Sequence, residues 1–245
     1  NVCIPGCELI SVEKMQSTQA MRAIAEHSDK TYTLLYTKHT ALKIGMFALE
    51  RMVQVMEMTQ AGMVYADHYQ QIDGVQKTAP VIDYQPGSLR DDFNFGSVLL
   101  FNANAFKEVI ENTEEEYQYA GLYDLRLKIS QKSKLVHINE YLYTEVESDK
   151  RKSGEKQFDY VDPKNRQVQI EMEQACTNHL KEIGGYLYPI FRPVDFSSHT
   201  FEYEASVIIP VRNRIRTVKD AVRSALNQQT TFPFNVIVID NHSTD

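Results

Sequence analysis

Ala205-Ser206-Val207-Ile208-Ile209-Pro210 and Phe234-Asn235-Val236-Ile237-Val238-Ile239 are the two short apolar runs on which the reading of this chain turns. Runs of this length, bounded by turn-forming residues, predict buried strands. Val211-Arg212-Asn213 follows the first as a turn. Thr217 to Gln228 then places Val218, Ala221, Val222, Ala225 and Leu226 on one helical face, and the second run ends in Asp240-Asn241-His242-Ser243-Thr244-Asp245. Strand, helix and strand make a βαβ unit, whose parallel strands are joined by a right-handed crossover. In such a unit ligands bind beyond the carboxyl ends of the strands, where both runs here carry polar residues. A carboxylate there can hydrogen-bond a base or ribose; equally, the same Asp and Asn can cap the next helix. Neither G-x-G-x-x-G nor G-x-x-x-x-G-K is present, which removes the main support for a dinucleotide or P-loop site.

Upstream, strands and helices alternate. Ser17 to Glu26 has helical spacing, Thr31 to Tyr36 reads as a strand, and Leu42 to Met58 as an amphipathic helix carrying Met46, Leu49, Met52, Val53 and Met56. Gly62 is a plausible helix stop, followed by a strand, Met63 to Ala66, that leads into Asp67. Residues 70 to 92 form a long polar excursion. Gly96 to Phe101 is a strand, Ala103 to Glu111 and Tyr123 to Ile129 are helices, and Leu135 to Ile138 and Tyr141 to Tyr143 are short strands. The alternation predicts a mixed, mostly parallel α/β sheet flanked by helices. Ser148 to Arg166 is charged, with Phe158, Tyr160 and Val161 as anchors; Val168 to Ile183 is helical, and Tyr186 to Thr200 reads as a linker.

The 245 residues carry 42% hydrophobic and 24% charged side chains and a net charge of −7. That balance fits a globular protein and argues against general nucleic-acid binding, which needs a basic footprint. No apolar stretch reaches the length of a membrane span, and residues 1 to 9 lack the features of a signal peptide. Cys3, Cys7 and Cys176 make no disulfide or zinc pattern and read as free thiols in a reducing, cytoplasmic compartment. The chain begins without Met and stops just after a strand, so it is read as an internal fragment of a longer protein.

Two motifs, Ser206-Val207-Ile208-Ile209-Pro210-Val211-Arg212-Asn213 and Val236-Ile237-Val238-Ile239-Asp240-Asn241-His242-Ser243-Thr244-Asp245, resemble the opening of family 2 glycosyltransferases. The resemblance implies a GT-A fold and transfer of a sugar from a nucleotide-sugar donor to an acceptor hydroxyl, in polysaccharide or glycoconjugate synthesis. It implies that Pro210, Val211, Arg212 and Asn213 border the nucleotide and that Asp240 or Asn241 contacts the base. The family commonly has an aromatic residue where Arg212 stands.

The order of elements in residues 20 to 145 also resembles a domain of this family that lacks its first βαβ. The resemblance places a metal-binding Asp-x-Asp, for Mg²⁺ or Mn²⁺, after the Thr31 to Tyr36 strand, where this chain has Thr37-Lys38-His39. It places Glu-Asp, with the Asp as general base, where Gly121-Leu122 precede Tyr123-Asp124-Leu125. Asp67-His68 is a fallback carboxylate–imidazole pair, although a strand-end Asp more often caps a turn. No catalytic residue and no metal ligand is therefore assigned.

Three segments result: residues 1–147, a GT-A-like domain with degenerate motifs; residues 148–203, a charged segment, helix and linker; and residues 204–245, a nucleotide-binding βαβ. The last either opens a second domain or completes the first sheet, within one chain or by strand exchange in a homodimer. The leading expectation is a fragment of a tandem glycosyltransferase, itself inactive, whose parent uses a divalent metal. The alternative is a non-catalytic transferase-like domain that binds a glycan or a partner. A nucleotidyltransferase would show a Gly-rich basic loop, for which Val211-Arg212-Asn213-Arg214 supplies only charge.

Overall fold

The computed structural model describes residues 7–146, 166–197 and 199–245, which form two compact units divided between Leu187 and Tyr188. Cys3 and the charged stretch with Phe158, Tyr160 and Val161 lie outside the described residues.

In the first unit, α1 (Thr18–His27), β1 (Tyr32–Tyr36), β2 (Leu42–Ile44), α2 (Ala48–Thr59), β3 (Met63–Ile72), β4 (Val75–Ala79), β5 (Val98–Asn102), α3 (Ala103–Glu111), α4 (Gly121–Lys132), β6 (Leu135–Val146) and α5 (Arg166–Glu182) follow in order. The strands form one mixed sheet in the order β1-β5-β3-β6-β2, with β4 paired to β3. The expectation of a mostly parallel sheet is corrected here: β3 and β6 are parallel, and every other pair is antiparallel. The cause is a two-residue hairpin. Asp73 and Gly74 both take positive φ, 49° and 80°, the turn that an Asp-Gly pair favours. It reverses the chain into β4, and residues 80–97 return it still reversed as β5, on the same edge of β3. A parallel return would have required a crossover.

Alternation along the central strands separates two cores. Met63 and Tyr65 of β3, with Leu99 and Phe101 of β5, pack with Met21 of α1, Phe106 of α3 and Leu125 and Ile129 of α4. Val64 and Ala66, with Val98 and Leu100, pack with Met52 and Met56 of α2. Because helices cover both faces, β3 and β5 read as continuous apolar runs rather than alternating ones. The helix read from Leu42 starts instead at Ala48. Residues 42–44 are drawn into an edge strand on β6, and Phe47 at φ 57° marks the break. It ends at Gln60, not Gly62; Gly62 instead lies close against Ile129 and Ser133, which leaves no room for a side chain.

α5 packs on α4 through Ala175 and Met172. Its Glu171, buried, accepts hydrogen bonds from the Tyr119 and Ala120 amides at 2.7 and 3.3 Å, at the start of α4. Ala120 offers no side-chain cap of its own, so a neighbouring helix supplies it. Glu171→Ala is expected to lower the stability of this unit by about 1–2 kcal/mol in urea melts, the cost of a lost helix cap. Glu171→Gln, which still accepts hydrogen bonds, should recover much of it.

In the second unit β7 (Ala205–Val211), α6 (Ile215–Leu226) and β8 (Phe234–Asp240) make the expected βαβ, with β7 and β8 parallel in a sheet of their own. Val218, Val222 and Ala225 of α6 are half-buried at helical spacing. Both strands were read as buried, but Ile208, Ile237 and Ile239 remain exposed. α6 packs on the two strands and leaves a second set of their side chains exposed.

Candidate functional site

The chain leaves the carboxyl end of β1 at Thr37, whose amide donates to the Ser97 carbonyl at 2.9 Å. Lys38 turns inward. Its Nζ lies 2.5 Å from Oε2 of Glu145, a carboxylate on β6 that is only 2% exposed. Oε1 of the same carboxylate is 3.5 Å from His68 Nε2, and the imidazole stacks on Tyr143 with centroids 5.1 Å apart. Tyr143 Oη in turn accepts the Ser97 amide at 3.0 Å. Burial alone would raise the Glu145 carboxyl, but hydrogen bonds from Lys38 and Ser97 and the nearby positive charge hold it below the ordinary range. Burial keeps His68 low, so the imidazole is neutral near pH 7.

His39 is exposed, and no group of three His, Cys, Asp or Glu side chains able to hold a metal occurs among the described residues. The donor set at Thr37-Lys38-His39 does not fit Mg²⁺ or Mn²⁺, which take oxygen ligands. Lys38 is already engaged by a carboxylate, so it is not held in reserve for a phosphate.

The start of α4 faces the same place. Leu122 lines, with Thr37, Lys38 and His39, a cavity of about 520 Å³ floored by Met21, Ile24 and Leu35. The two positions are thus brought together, but Leu122 offers no proton acceptor and Thr37-Lys38-His39 offers no carboxylate. The backbone before α1 fills the space beside them. The Leu122 amide donates to the Gln16 carbonyl at 3.3 Å, the Thr18 amide to the Tyr117 carbonyl at 2.9 Å, and the Tyr117 amide to Thr18 Oγ1 at 3.0 Å. A side chain at Gly121 would collide with the Thr18 nitrogen and the Ser17 carbonyl carbon and would lie 2.8 Å from the Gln16 oxygen.

Asp124 is buried and bonded to Lys128 at 2.9 Å, and desolvation raises its carboxyl. It is a structural ion pair within α4. The suggested Asp67-His68 pair is corrected. The two side chains diverge where the β3–β6 register shifts. Asp67 accepts the Val81 amide at 2.8 Å and the His137 imidazole at 2.9 Å, while His68 faces Glu145. The sequence reasoning missed Glu145 and His137, whose partners lie dozens of residues away.

In the second unit β7 and β8 end in register, Val211 opposite Asp240. Their loops are stitched by backbone and side chain. The Asn241 amide donates to the Val211 carbonyl at 2.8 Å, and the Asn213 amide donates to Ser243 Oγ at 2.9 Å. Asn213 Oδ1 accepts the Thr244 amide at 2.8 Å, with Asn213 at φ 52°. The Asp240 carboxylate accepts from Ser243, and Asp245 caps α6 by accepting the Ile215 amide at 3.0 Å. Pro210 and Arg212 are exposed beside this pair of loops. All six residues assigned to the nucleotide edge therefore sit together at the carboxyl ends of parallel strands.

Residues 206–245 match the model of glycosyl transferase family 2. No curated protein matches the chain. The matched segment is the βαβ itself, so the second unit carries a family 2 glycosyltransferase-like opening, and the mixed α/β architecture is consistent with a GT-A-like fold. The function this supports is of the glycosyltransferase type.

Proposed function

We propose that the chain serves sugar transfer from a nucleotide-sugar donor to an acceptor hydroxyl, in polysaccharide or glycoconjugate assembly in the cytoplasm. In this reading residues 206–245 provide the nucleotide-facing edge, and the first unit is a transferase-like domain that does not perform the transfer itself. The observation that carries it is the stitched pair of loops at Val211 and Asp240, within the segment that matches the family. Backbone groups presented beyond parallel strand ends suit the base and ribose of a nucleotide.

Direct displacement at an anomeric carbon needs a base for the attacking hydroxyl and neutralisation of the departing diphosphate. In the first unit Leu122 cannot accept a proton, and Thr37-Lys38-His39 supplies no carboxylate for the divalent metal the family employs. In this reading the first unit lacks the base and the metal-binding carboxylates at the places the family has them.

The test is an NMR titration of the whole chain with uridine-, guanosine- and thymidine-diphosphate sugars. One of them, at about 1 mM, is expected to shift the amides of residues 211–213 and 240–244. Asn213→Ala, which removes the side-chain tie between the loops, should weaken that response. If no nucleotide sugar moves these amides, the reading fails.

A further inference from the structure

The net charge of −7 is not spread evenly along the chain. Residues 188–245 hold six Lys or Arg and six Asp or Glu, so the acidic excess lies upstream of them. Three of those cations, Arg216, Lys219 and Arg223, stand on α6 three and four residues apart, which sets them in one stripe along the helix. All three are exposed, and the one ion pair they make among the described residues is Arg223 with Asp220, at 3.6 Å. The packing face of α6, Val218, Val222 and Ala225, does not take in Ile215 or Leu226. Those two are exposed, at 65% and 60%, and they border the stripe. Ile215 lies four residues before Lys219, and Leu226 three after Arg223, the spacings of helical neighbours. One face of α6 thus rests on the strands, an apolar flank is open to solvent, and a basic stripe runs beside that flank.

A second run of uncovered apolar side chains lies in the same unit. Ile190, Phe191, Val194 and Phe196 are all exposed, Ile190 and Phe191 at 87% and 85%. Pro189 and Pro193 interrupt this segment, which joins neither helix nor strand, so no local element covers its side chains. Exposed apolar residues scattered singly need no explanation, but here two groups of them share one small unit with a basic stripe. The combination selects among partners. A nucleic acid would use the cations and could stack bases on Phe191 and Phe196, but Ile190, Val194, Ile215 and Leu226 have no ring to offer it. An apolar protein groove would take the aliphatic side chains and leave the cations without a counter-charge. An anionic lipid surface takes both, the apolar side chains at the acyl boundary and the cations among the headgroups. Among the described residues no helix is long and apolar enough to cross a membrane, so the contact is a surface one.

We infer that the second unit docks on an anionic phospholipid surface through α6 and residues 190–196, with Arg216, Lys219 and Arg223 set against lipid phosphates and Phe191, Ile215 and Leu226 entering the interface. Lipid binding needs neither nucleotide nor sugar, so this goes beyond the proposed function and stands apart from it.

The experiment is co-sedimentation of the whole chain with vesicles of phosphatidylcholine alone and with a third of it replaced by phosphatidylglycerol. The mixed vesicles should carry the chain down, the neutral ones should bind it about tenfold more weakly or worse, and salt should release it. Arg216→Gln combined with Lys219→Gln and Arg223→Gln should weaken binding to the mixed vesicles about a hundredfold, about fivefold for each cation. Phe191→Ser combined with Leu226→Ser should weaken it about tenfold, through the apolar surface no longer inserted. All five side chains are exposed, so both variants should melt with the parent chain. Failure of the chain to bind the mixed vesicles would overturn the inference, as would a charge variant that binds them like the parent. An apolar variant that binds them unchanged would overturn it too, and displacement by a single-stranded oligonucleotide would then make the stripe a nucleic-acid surface. A parent chain that light scattering finds dimeric, with the apolar variant monomeric, would overturn it in another way, because a second copy would be what covers these side chains.

Discussion

Gly121→Glu is expected to prevent the first unit from folding, although by family resemblance it restores an acidic residue at its usual place. The substitution introduces a Cβ where the backbone of Ser17 and Thr18 already runs. The atoms in the way are main-chain atoms at the N-terminus of α1, held by hydrogen bonds to Tyr117 and Leu122, and they cannot step aside as a side chain would. Ser17 also caps α1 through the Ala20 amide, at 3.0 Å, so moving it uncouples that helix as well. Overpacking of this kind lies at the costly end of single substitutions, about 4 kcal/mol or more. Gly121→Ala, which carries the collision without the charge, should be nearly as damaging in urea melts and in soluble yield. Leu122→Asp is the contrasting case: Leu122 is only partly buried and lines the cavity, so the variant should fold with a loss of about 1–3 kcal/mol. If Gly121→Glu were as stable as the parent chain, the account of a site closed by its own backbone would be wrong.

That closure bears on how Gly121-Leu122 and Thr37-Lys38-His39 are understood. From the sequence alone, Gly121-Leu122 and Thr37-Lys38-His39 look like losses, residues that no longer matter once selection for chemistry is relaxed. In the structure they are fitted. Gly121 is the residue that lets α1 and α4 approach, Leu122 belongs to an apolar cavity, and Lys38 neutralises a buried carboxylate. Reversing one position therefore disturbs packing built around it. An acidic residue introduced there must displace packing that is already in place.

The local elements were legible because their signals are local. Ala103 to Glu111 and the βαβ of residues 205–240 declared themselves through spacing, and Asn102 and Ser17 cap helices as their side chains allow. The sheet order was not legible. It hangs on the Asp73-Gly74 turn, a two-residue signal inside a stretch read as a polar excursion, and on the return of residues 80–97 to the same strand edge. Polar partners were the least visible. Lys38 and Glu145 are separated by 107 positions, and Asp67 and His137 by 70, so no periodicity links them. In the second unit strand ends and loops are close in sequence, so the residues around Val211 and Asp240 meet without long-range partners.

Lys38→Met is expected to cost about 3 kcal/mol near neutral pH, because it strands the Glu145 carboxylate in the core. The figure is set at the lower end for a broken buried pair, since about a third of the Lys38 side chain remains in water. The pH dependence should identify the cause. In the parent chain the Glu145 carboxyl sits below its ordinary value of 4.5, so its contribution is complete above that value and is lost only as pH falls through the lower, folded value. Without Lys38, desolvation dominates and pushes the same carboxyl up. The variant should then gain stability relative to the parent as pH falls from 7 towards the raised value, where the buried group takes a proton. Lys38→Met with Glu145→Gln removes the titrating group and should recover about 1–2 kcal/mol at pH 7 while flattening the difference across pH. His68 is common to all three proteins, and its own burial, which keeps it neutral, weighs on each as the solution is acidified. Denaturant midpoints between pH 4 and 8 decide the matter. A constant difference between parent and single variant would mean that Lys38 stabilises by packing its stem, and that Glu145 is not the group it holds in its charged form.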